Sequence, residues 1–278
     1  MNWRVRRATP GDEAALADLC AAAVGPDDYV IAHLAWELKV NTVHVALDAG
    51  ERIVGMTVYR RCLDGSGWLA MARTHPAFRR QGVNRALVGS FARMARVNGV
   101  RYLRLWTNAR NEDGIATFRA IGFHEVARFD RIEALAEGGA VEGLPCPART
   151  ELWEQVERSS IVAKGNGHVP YGRCFVPASP SLMSQLVARG ELRYWRGNLI
   201  ALPEPPGRAE RDVQDVTLWA GDPPQLLKEA RRQAAAAGRP RAGVSIPHDP
   251  ELLGAAAEAG FELVPWGIEA VLCELSVS

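Results

Sequence analysis

Residues 75 to 87 read His-Pro-Ala-Phe-Arg-Arg-Gln-Gly-Val-Asn-Arg-Ala-Leu, an arrangement suited to gripping a diphosphate. Such a ligand needs several donors converging on a small volume. The N–H groups at the start of a helix supply them, together with a favourable dipole. Gly82 has no Cβ and lets the ligand approach the backbone closely. Arg79, Arg80 and Arg85 can add charge-assisted contacts to phosphate oxygens, and Gln81, Val83 and Asn84 complete the turn. On these residues alone, a solvated basic turn that merely opens a helix is an equal reading.

Such a loop requires a strand to deliver it and a helix to receive it, and the flanking sequence predicts both. Trp68 to Thr74 reads as a strand, and Val83 to Val97 as a helix with Ala86, Leu87, Phe91 and Met94 on one side. Upstream, a strand over Trp3–Ala8 leads through Thr9-Pro10-Gly11-Asp12 into a helix over Ala14–Ala23. A second helix is expected over Tyr29–Val40, then strands at Val43–Leu47 and Ile53–Arg60 joined by turn residues. Downstream come a strand over Val100–Trp106, a helix over Gly114–Ala120 and a closing strand from Phe123.

The second half repeats the first in weakened form. Gln225–Gly238 lies over Ala86–Gly99, an offset of 139 residues, and Gly260-Phe261 over Gly122-Phe123, an offset of 138. Between them the stretch from residue 130 to 149 loses periodicity and gathers Gly and Pro. The expected organisation is a first domain over 1–138, a linker over 139–149 and a degenerate second domain over 150–278. The second copy has only Ala220-Gly221-Asp222-Pro223-Pro224 where the first has its basic loop: the wrong charge, and two prolines without N–H donors.

Arg79-x-x-Gly82-x-Asn84 resembles the signature of the GNAT N-acetyltransferase superfamily, with Asn84 at a place usually held by a small residue. Asn111-Glu112-Asp113-Gly114-Ile115-Ala116-Thr117-Phe118, ending in Gly122-Phe123, resembles the family's next conserved segment, with Gly114 standing for alanine. The resemblance covers most of residues 3 to 130. It implies an α/β (α+β) architecture of two GNAT-like domains, each a mixed, mostly antiparallel sheet flanked by helices. It further implies acetyl-CoA as co-substrate, without a metal, and a primary amine as acceptor. The backbone of Ala72, Arg73 and Thr74 is expected along the pantetheine arm, Asn111 at the cofactor, and the loop Arg79–Arg85 at the pyrophosphate. Phe118 stands among the cofactor contacts, where many members carry a tyrosine that protonates the departing thiolate.

No general base follows from the sequence. Glu37 and His75 are candidates, with Asp27, Asp28 and His33 near them, and each has a bland reading as a surface acid or a packed histidine. A non-catalytic acyl-CoA-binding or sensor protein is therefore the alternative to an acyltransferase. A net charge of +1, with 33 basic and 32 acidic residues, gives no global attraction for nucleic acid or anionic lipid. The five cysteines are scattered without C-x-x-C spacing, as reduced thiols would be. No apolar run spans a membrane and the first residues turn charged at once, so a cytoplasmic protein is expected. A homodimer is one assembly the sequence allows. The glycine-rich stretch Lys164–Tyr171 is expected as a loop over the acceptor, and Trp153, Tyr171, Tyr194, Trp195, Trp219 and Trp266 as pocket or core aromatics.

Overall fold

The computed structural model describes residues 3–146, 150–172, 174–203 and 212–277. The first half contains β1 (Arg4–Arg7), α1 (Glu13–Ala23), α2 (Leu34–Val40), β2 (Thr42–Leu47), β3 (Ile53–Arg61), β4 (Gly67–Thr74), α3 (Val83–Val97), β5 (Tyr102–Asn108), α4 (Glu112–Ile121) and β6 (His124–Leu135). There follow β7 (Leu144–Pro145), α5 (Thr150–Glu157), α6 (Ser160–Lys164), β8 (His168–Tyr171), β9 (Cys174–Pro177), α7 (Pro180–Ala188), β10 (Leu192–Trp195) and β11 (Asn198–Ala201). The chain ends with β12 (Val213–Ala220), α8 (Pro223–Ala236), β13 (Arg241–Pro247), α9 (Pro250–Glu258), β14 (Glu262–Leu263) and β15 (Ala270–Ser276). The second helix is shorter than its periodicity predicts. The Asp28 carboxylate accepts the Val30 N–H at 3.2 Å, and only a 3-10 turn at Ile31–His33 precedes α2.

The chain divides into two compact units. One runs to Leu105 and adds Ile121–Phe123 and the end of the chain from Glu274; the other takes Trp106–Ala120 and His124–Cys273. In the first unit β1, β2, β3 and β4 form an antiparallel meander, β5 joins β4 in parallel, and the end of β15 lies beside β5. Alternation decides the faces: Val43, Val45 and Leu47 pack with Leu16, Leu19 and Leu34 of α1 and α2, whereas Ala46 packs with Val83 and Leu87 of α3.

The second unit shares the plan. β10, β11 and β12 are antiparallel neighbours, and β12 crosses through α8 to the parallel strand β13. Both crossover helices end alike: Gly99 and Gly238 each take a left-handed φ of 67°, and the next residue bonds back to Ala95 or Ala234. The aromatics divide here: Trp195 and Trp219 are buried and Trp266 is exposed.

A single cut between residues 138 and 150 does not separate these units. β6, expected to close the first domain, pairs along its length with β13 of the second unit, from Leu135↔Arg241 to Phe129↔Pro247. Its Ile132 and Ala134 are buried among Leu226, Ala230, Val244 and Leu252; burying one such isoleucine contributes about 1.5–3 kcal/mol. The described part of the expected linker is ordered as well. The buried Glu229 carboxylate accepts the N–H groups of Glu142 at 3.1 Å and Gly143 at 2.9 Å, and Leu144–Pro145 pairs with β10. Residues 147–149 of the linker lie outside the described residues. The stretch Lys164–Tyr171, expected as a loop, instead ends α6 and forms β8, paired with β9.

The chain's end is held in the first unit by a buried cation. Arg104, 2% exposed, meets Glu274 at 2.6 Å, Asp64 at 2.6 Å and the Ser66 hydroxyl at 2.8 Å. Val277 adds a backbone bond to Arg101 and accepts from the Arg96 guanidinium. Removing one partner of a buried ion pair costs about 3–5 kcal/mol. Glu274→Leu should therefore lower the denaturant midpoint of the first unit by an amount worth about 3 kcal/mol, and the double variant Arg104→Leu/Glu274→Leu should recover part of that loss.

Candidate functional site

The basic loop has a defined backbone. β4 ends at Thr74, the His75 N–H bonds to the Val54 carbonyl at 2.9 Å, and Pro76–Phe78 make one 3-10 turn. Arg80 then takes φ 61° and Gly82 φ 83°, and α3 begins at Val83. The first bond of the helix runs from the Ala86 N–H to the Gly82 carbonyl. Gly82, as N-cap, brings no side chain to the N–H groups of that turn. The turn is pinned from outside: the Trp3 indole donates to the Gln81 carbonyl at 2.8 Å, and the Gln81 amide donates to the Ala77 carbonyl at 2.9 Å. Arg79, Arg80, Gln81, Gly82 and Arg85 are exposed, Asn84 is half-buried, and Val83 is buried under Gly55, where any side chain would collide with it. An anion at this helix start would meet backbone donors and the exposed Arg80 and Arg85. Arg79 is committed elsewhere. Its guanidinium donates to the Ala23 carbonyl at the end of α1, at 2.7 Å, so its charge serves that helix terminus.

β4 bends before it reaches the loop. Its pairing with β3 slips so that Thr57 faces both Met71 and Ala72, and Met71 sits at φ 54°, a bulge that re-aims the strand. Its pairing with β5 is confined to Gly67↔Leu103 and Trp68↔Arg104 among the described residues, which leaves Ala72–Thr74 beyond the paired stretch. Arg73 folds back from this strand. It grips Asp28 through two bonds of 2.6 and 2.7 Å, donates to the Ala72 carbonyl at 3.0 Å and lies over the Tyr29 ring at 5.6 Å.

The candidate bases of the first unit are differently placed. Asp28 is buried; burial opposes its ionisation, but the Arg73 bonds, the Val30 N–H and the guanidinium charge outweigh that and hold it below the usual carboxylate range. Glu37 is wholly buried against Arg60 and also accepts from Asn41 at 2.8 Å. Asp27 is exposed. His75 accepts the Ala77 N–H through Nδ1 at 3.3 Å and packs edge-on to Phe78. His33 donates from Nδ1 to the Tyr29 carbonyl at 2.8 Å, which puts the lone pair on Nε2, an atom that is buried without a partner.

The second unit holds the remaining predicted residues. Asn111 donates to the Thr107 hydroxyl at 2.8 Å and accepts the Gly114 N–H at 3.1 Å, capping α4. The glycine that departs from the expected alanine is thereby explained: a Cβ on Gly114 would strike the Asn111 side chain. Phe118 is half-buried on α4, a helix with no fully buried residue. At the matching place in the second copy, the start of α8 is closed. Asp222 caps the Gln225 N–H, its own N–H is taken by Asn198 at 2.9 Å, and Pro223 and Pro224 follow.

A family model described as Acetyltransferase (GNAT) family matches residues 14–123, which contain both the loop and the Asn111 segment. Residues 14–123 thus belong to the GNAT family. The fold of the whole chain is that of two-domain GNAT proteins. It resembles a protein of Thermoplasma acidophilum described as an acetyltransferase, with TM-score 0.63 and 14% identity over 98% of this chain and 99% of that one. It also resembles a GCN5-related N-acetyltransferase of Sphaerobacter thermophilus, with TM-score 0.59 and 16% identity over 99% and 96%. A tandem GNAT protein from the clavulanic acid biosynthesis pathway matches with TM-score 0.55 and 13% identity over 99% of both chains. No curated protein matches the sequence. Family and fold together support acyl transfer.

The GNAT pattern gives no hint of a further cluster in the second unit. Asp130 on β6, 1% exposed, accepts from His248 Nδ1 at 2.7 Å and from the Glu269 N–H at 2.8 Å. In sequence Asp130 lies more than a hundred positions before both His248 and Glu269. The one local signal is that His248 directly precedes Asp249-Pro250, the cap of α9. Among the described residues no group of three or more His, Cys, Asp or Glu could hold a metal ion, and no helix is long and apolar enough to cross a membrane.

The Asp28–Arg73 pair makes a pH-dependent contribution to this GNAT domain. Because the native carboxyl titrates below its unfolded value of about 3.9, the stabilisation is present above that value and is lost as pH falls through the native one. Asp28→Asn should therefore be clearly destabilising in chemical denaturation at neutral pH, and the gap to the wild type should close in strong acid.

Proposed function

We propose that the chain transfers acetyl from acetyl-CoA to a primary amine. The observation that carries this reading is the exposed left-handed turn Arg80–Gly82, which opens α3 after a bulged β4 whose end lies beyond its pairing with β5 among the described residues. The residues fit the cofactor. The first-turn N–H groups of α3 with Arg80 and Arg85 would take the pyrophosphate and the ribose 3′-phosphate, and the backbone of Ala72–Thr74 would take the pantetheine amides. Arg79 holds α1 and so supports the loop without touching phosphate. Asn111 keeps Thr107 and the start of α4 in place. The start of α8 is capped by Asp222 and suits no anion, so the reading assigns one coenzyme site to the chain.

The chemistry is direct attack. The amine nitrogen bonds to the thioester carbonyl carbon, the C–S bond breaks with its electron pair going to sulfur, and the amine gives up one proton as amide and thiol form. Phe118 has no proton to offer the thiolate, so that proton comes from solvent or from a histidine.

Calorimetric titration with acetyl-CoA followed by thiol-release assays on an amine panel tests this. The wild type should bind and turn over at least one amine. Gly82→Glu, which puts a carboxylate and a strained backbone at the turn, should weaken binding at least 100-fold, a factor that corresponds to about 2.7 kcal/mol. Binding without turnover on any amine would return the chain to an acyl-CoA-binding protein.

A further inference from the structure

Two arginines tie the connection between α1 and α2 to the rest of the first unit. Arg79, on the basic loop, donates at 2.7 Å to the carbonyl of Ala23, the last residue of α1. Arg73, at the end of β4, holds both oxygens of the Asp28 carboxylate, through bonds of 2.6 and 2.7 Å. Among the described residues, the other hydrogen bonds of Ala23–Tyr29 stay within α1 and the turns that follow it. The Val24 N–H bonds to Cys20 and the Asp28 N–H to Gly25; Val30 and Ile31 bond to Asp28, and His33 to the Tyr29 carbonyl.

Both guanidiniums are carried by segments that the acetyltransferase reading gives to the coenzyme, and every residue involved belongs to the first unit. Arg73 lies within Ala72–Thr74, beyond the pairing of β4 with β5, and it donates to the Ala72 carbonyl as well as to Asp28. Its planar fork fixes the orientation of the carboxylate as well as its distance. Arg79 precedes the turn that runs through Arg80 and Gly82 into α3. The Arg73 side chain is 15% exposed and Asp28 is buried, but the connection they secure is open to solvent. From Val24 to Tyr29 only Asp28 is buried. A segment with so little buried apolar surface opens readily unless contacts from elsewhere hold it.

We propose that Arg73 and Arg79 are positioning residues that make the α1–α2 connection and the coenzyme site one cooperative unit, so that bound acetyl-CoA holds the connection closed. The proposal rests on the acetyltransferase reading. Its physical basis is linkage. A ligand that binds only the closed form suppresses every opening in which its site is lost. The two arginines make the opening of the connection the same event as the opening of the loop and the β4 end, so the coenzyme protects amides that it never touches. Tyr29, whose exposed ring lies under the Arg73 guanidinium at 5.6 Å, is then held most firmly when the coenzyme is in place.

The test is amide hydrogen exchange read by mass spectrometry, without acetyl-CoA and with it at about 100 times the Kd that calorimetry gives for each protein. Wild type, Arg79→Met, Arg73→Lys, Arg73→Met and the double variant Arg73→Met/Arg79→Met are compared. In the wild type, acetyl-CoA should slow exchange over Val24–His33 by about tenfold or more, in step with Gly82–Leu87. Each single Met variant should lose several-fold of the slowing over Val24–His33, and the double variant should lose all of it, while Gly82–Leu87 still slows. Arg73→Lys keeps the charge without the fork and should fall between wild type and Arg73→Met. Residues that merely stabilised the fold would change exchange equally with and without acetyl-CoA and leave the slowing intact. Arg79 is exposed and its loss spares the Asp28–Arg73 pair, so Arg79→Met carries the test even where Arg73→Met does not fold. Wild-type binding of acetyl-CoA without slowing over Val24–His33, or slowing undiminished in Arg79→Met and Arg73→Lys, would overturn the proposal while the acetyltransferase reading stands. Failure of the wild type to bind acetyl-CoA would overturn that reading and the coupling with it.

Discussion

A buried guanidinium decides what the first unit is made of. Arg104 on β5 is almost wholly out of water, and a charge so placed is tolerable only with partners at hydrogen-bond distance. It has Asp64 from the turn between β3 and β4, and Glu274 from β15, close to the end of the chain. The unit that carries the basic loop is thus completed by a residue 170 positions further along the chain than Arg104. In exchange β6, the strand that the first half would keep for itself, buries Ile132 and Ala134 in the second unit's core. The two halves are copies in sequence, yet neither compact unit consists of one copy.

This exchange is what the sequence could not display. Local elements were readable because their signals are local: a left-handed glycine ends both crossover helices, Thr9-Pro10 opens the first helix, and alternation marks β2. Where a strand finds its partner is a nonlocal matter. Leu144–Pro145, set among Gly and Pro, looks like linker because nothing nearby reveals that Glu229, on a later helix, will accept the backbone N–H groups just before it. The Asp130–His248 contact is invisible for the same reason. Neither residue belongs to a motif, and an aspartate inside a strand pattern ordinarily reads as an exposed position.

The candidate site shows the same split between type and placement. Arg80 and Gly82 take the left-handed turn that opens α3. Arg73, Asp28 and Glu37 do not do what their types invite. Asp28 and Glu37 are carboxylates where a base is wanted, but each is engaged by an arginine, Asp28 by Arg73 and Glu37 by Arg60, and the Arg73 bonds hold the Asp28 carboxyl below the usual carboxylate range. Arg79 matches the family signature, yet its fork closes the end of α1. A signature position can therefore serve the packing of the loop against α1.

The two crossover helices, α3 and α8, start on different caps. Both helices follow the strand that crosses over in parallel, and both carry the same dipole. At α3 the N-cap is Gly82 in a left-handed conformation, with Arg80 also at positive φ, and no carboxylate caps or occupies the first turn. At α8 the cap is Asp222, which spends its charge on the Gln225 N–H, while Asn198 holds the Asp222 backbone and two prolines remove further donors. The cap that best stabilises a helix in isolation is the one that forbids a phosphate. Holding the α3 cap as glycine forgoes only roughly a few tenths of a kcal/mol against such a cap, a small cost that a bound anion would offset.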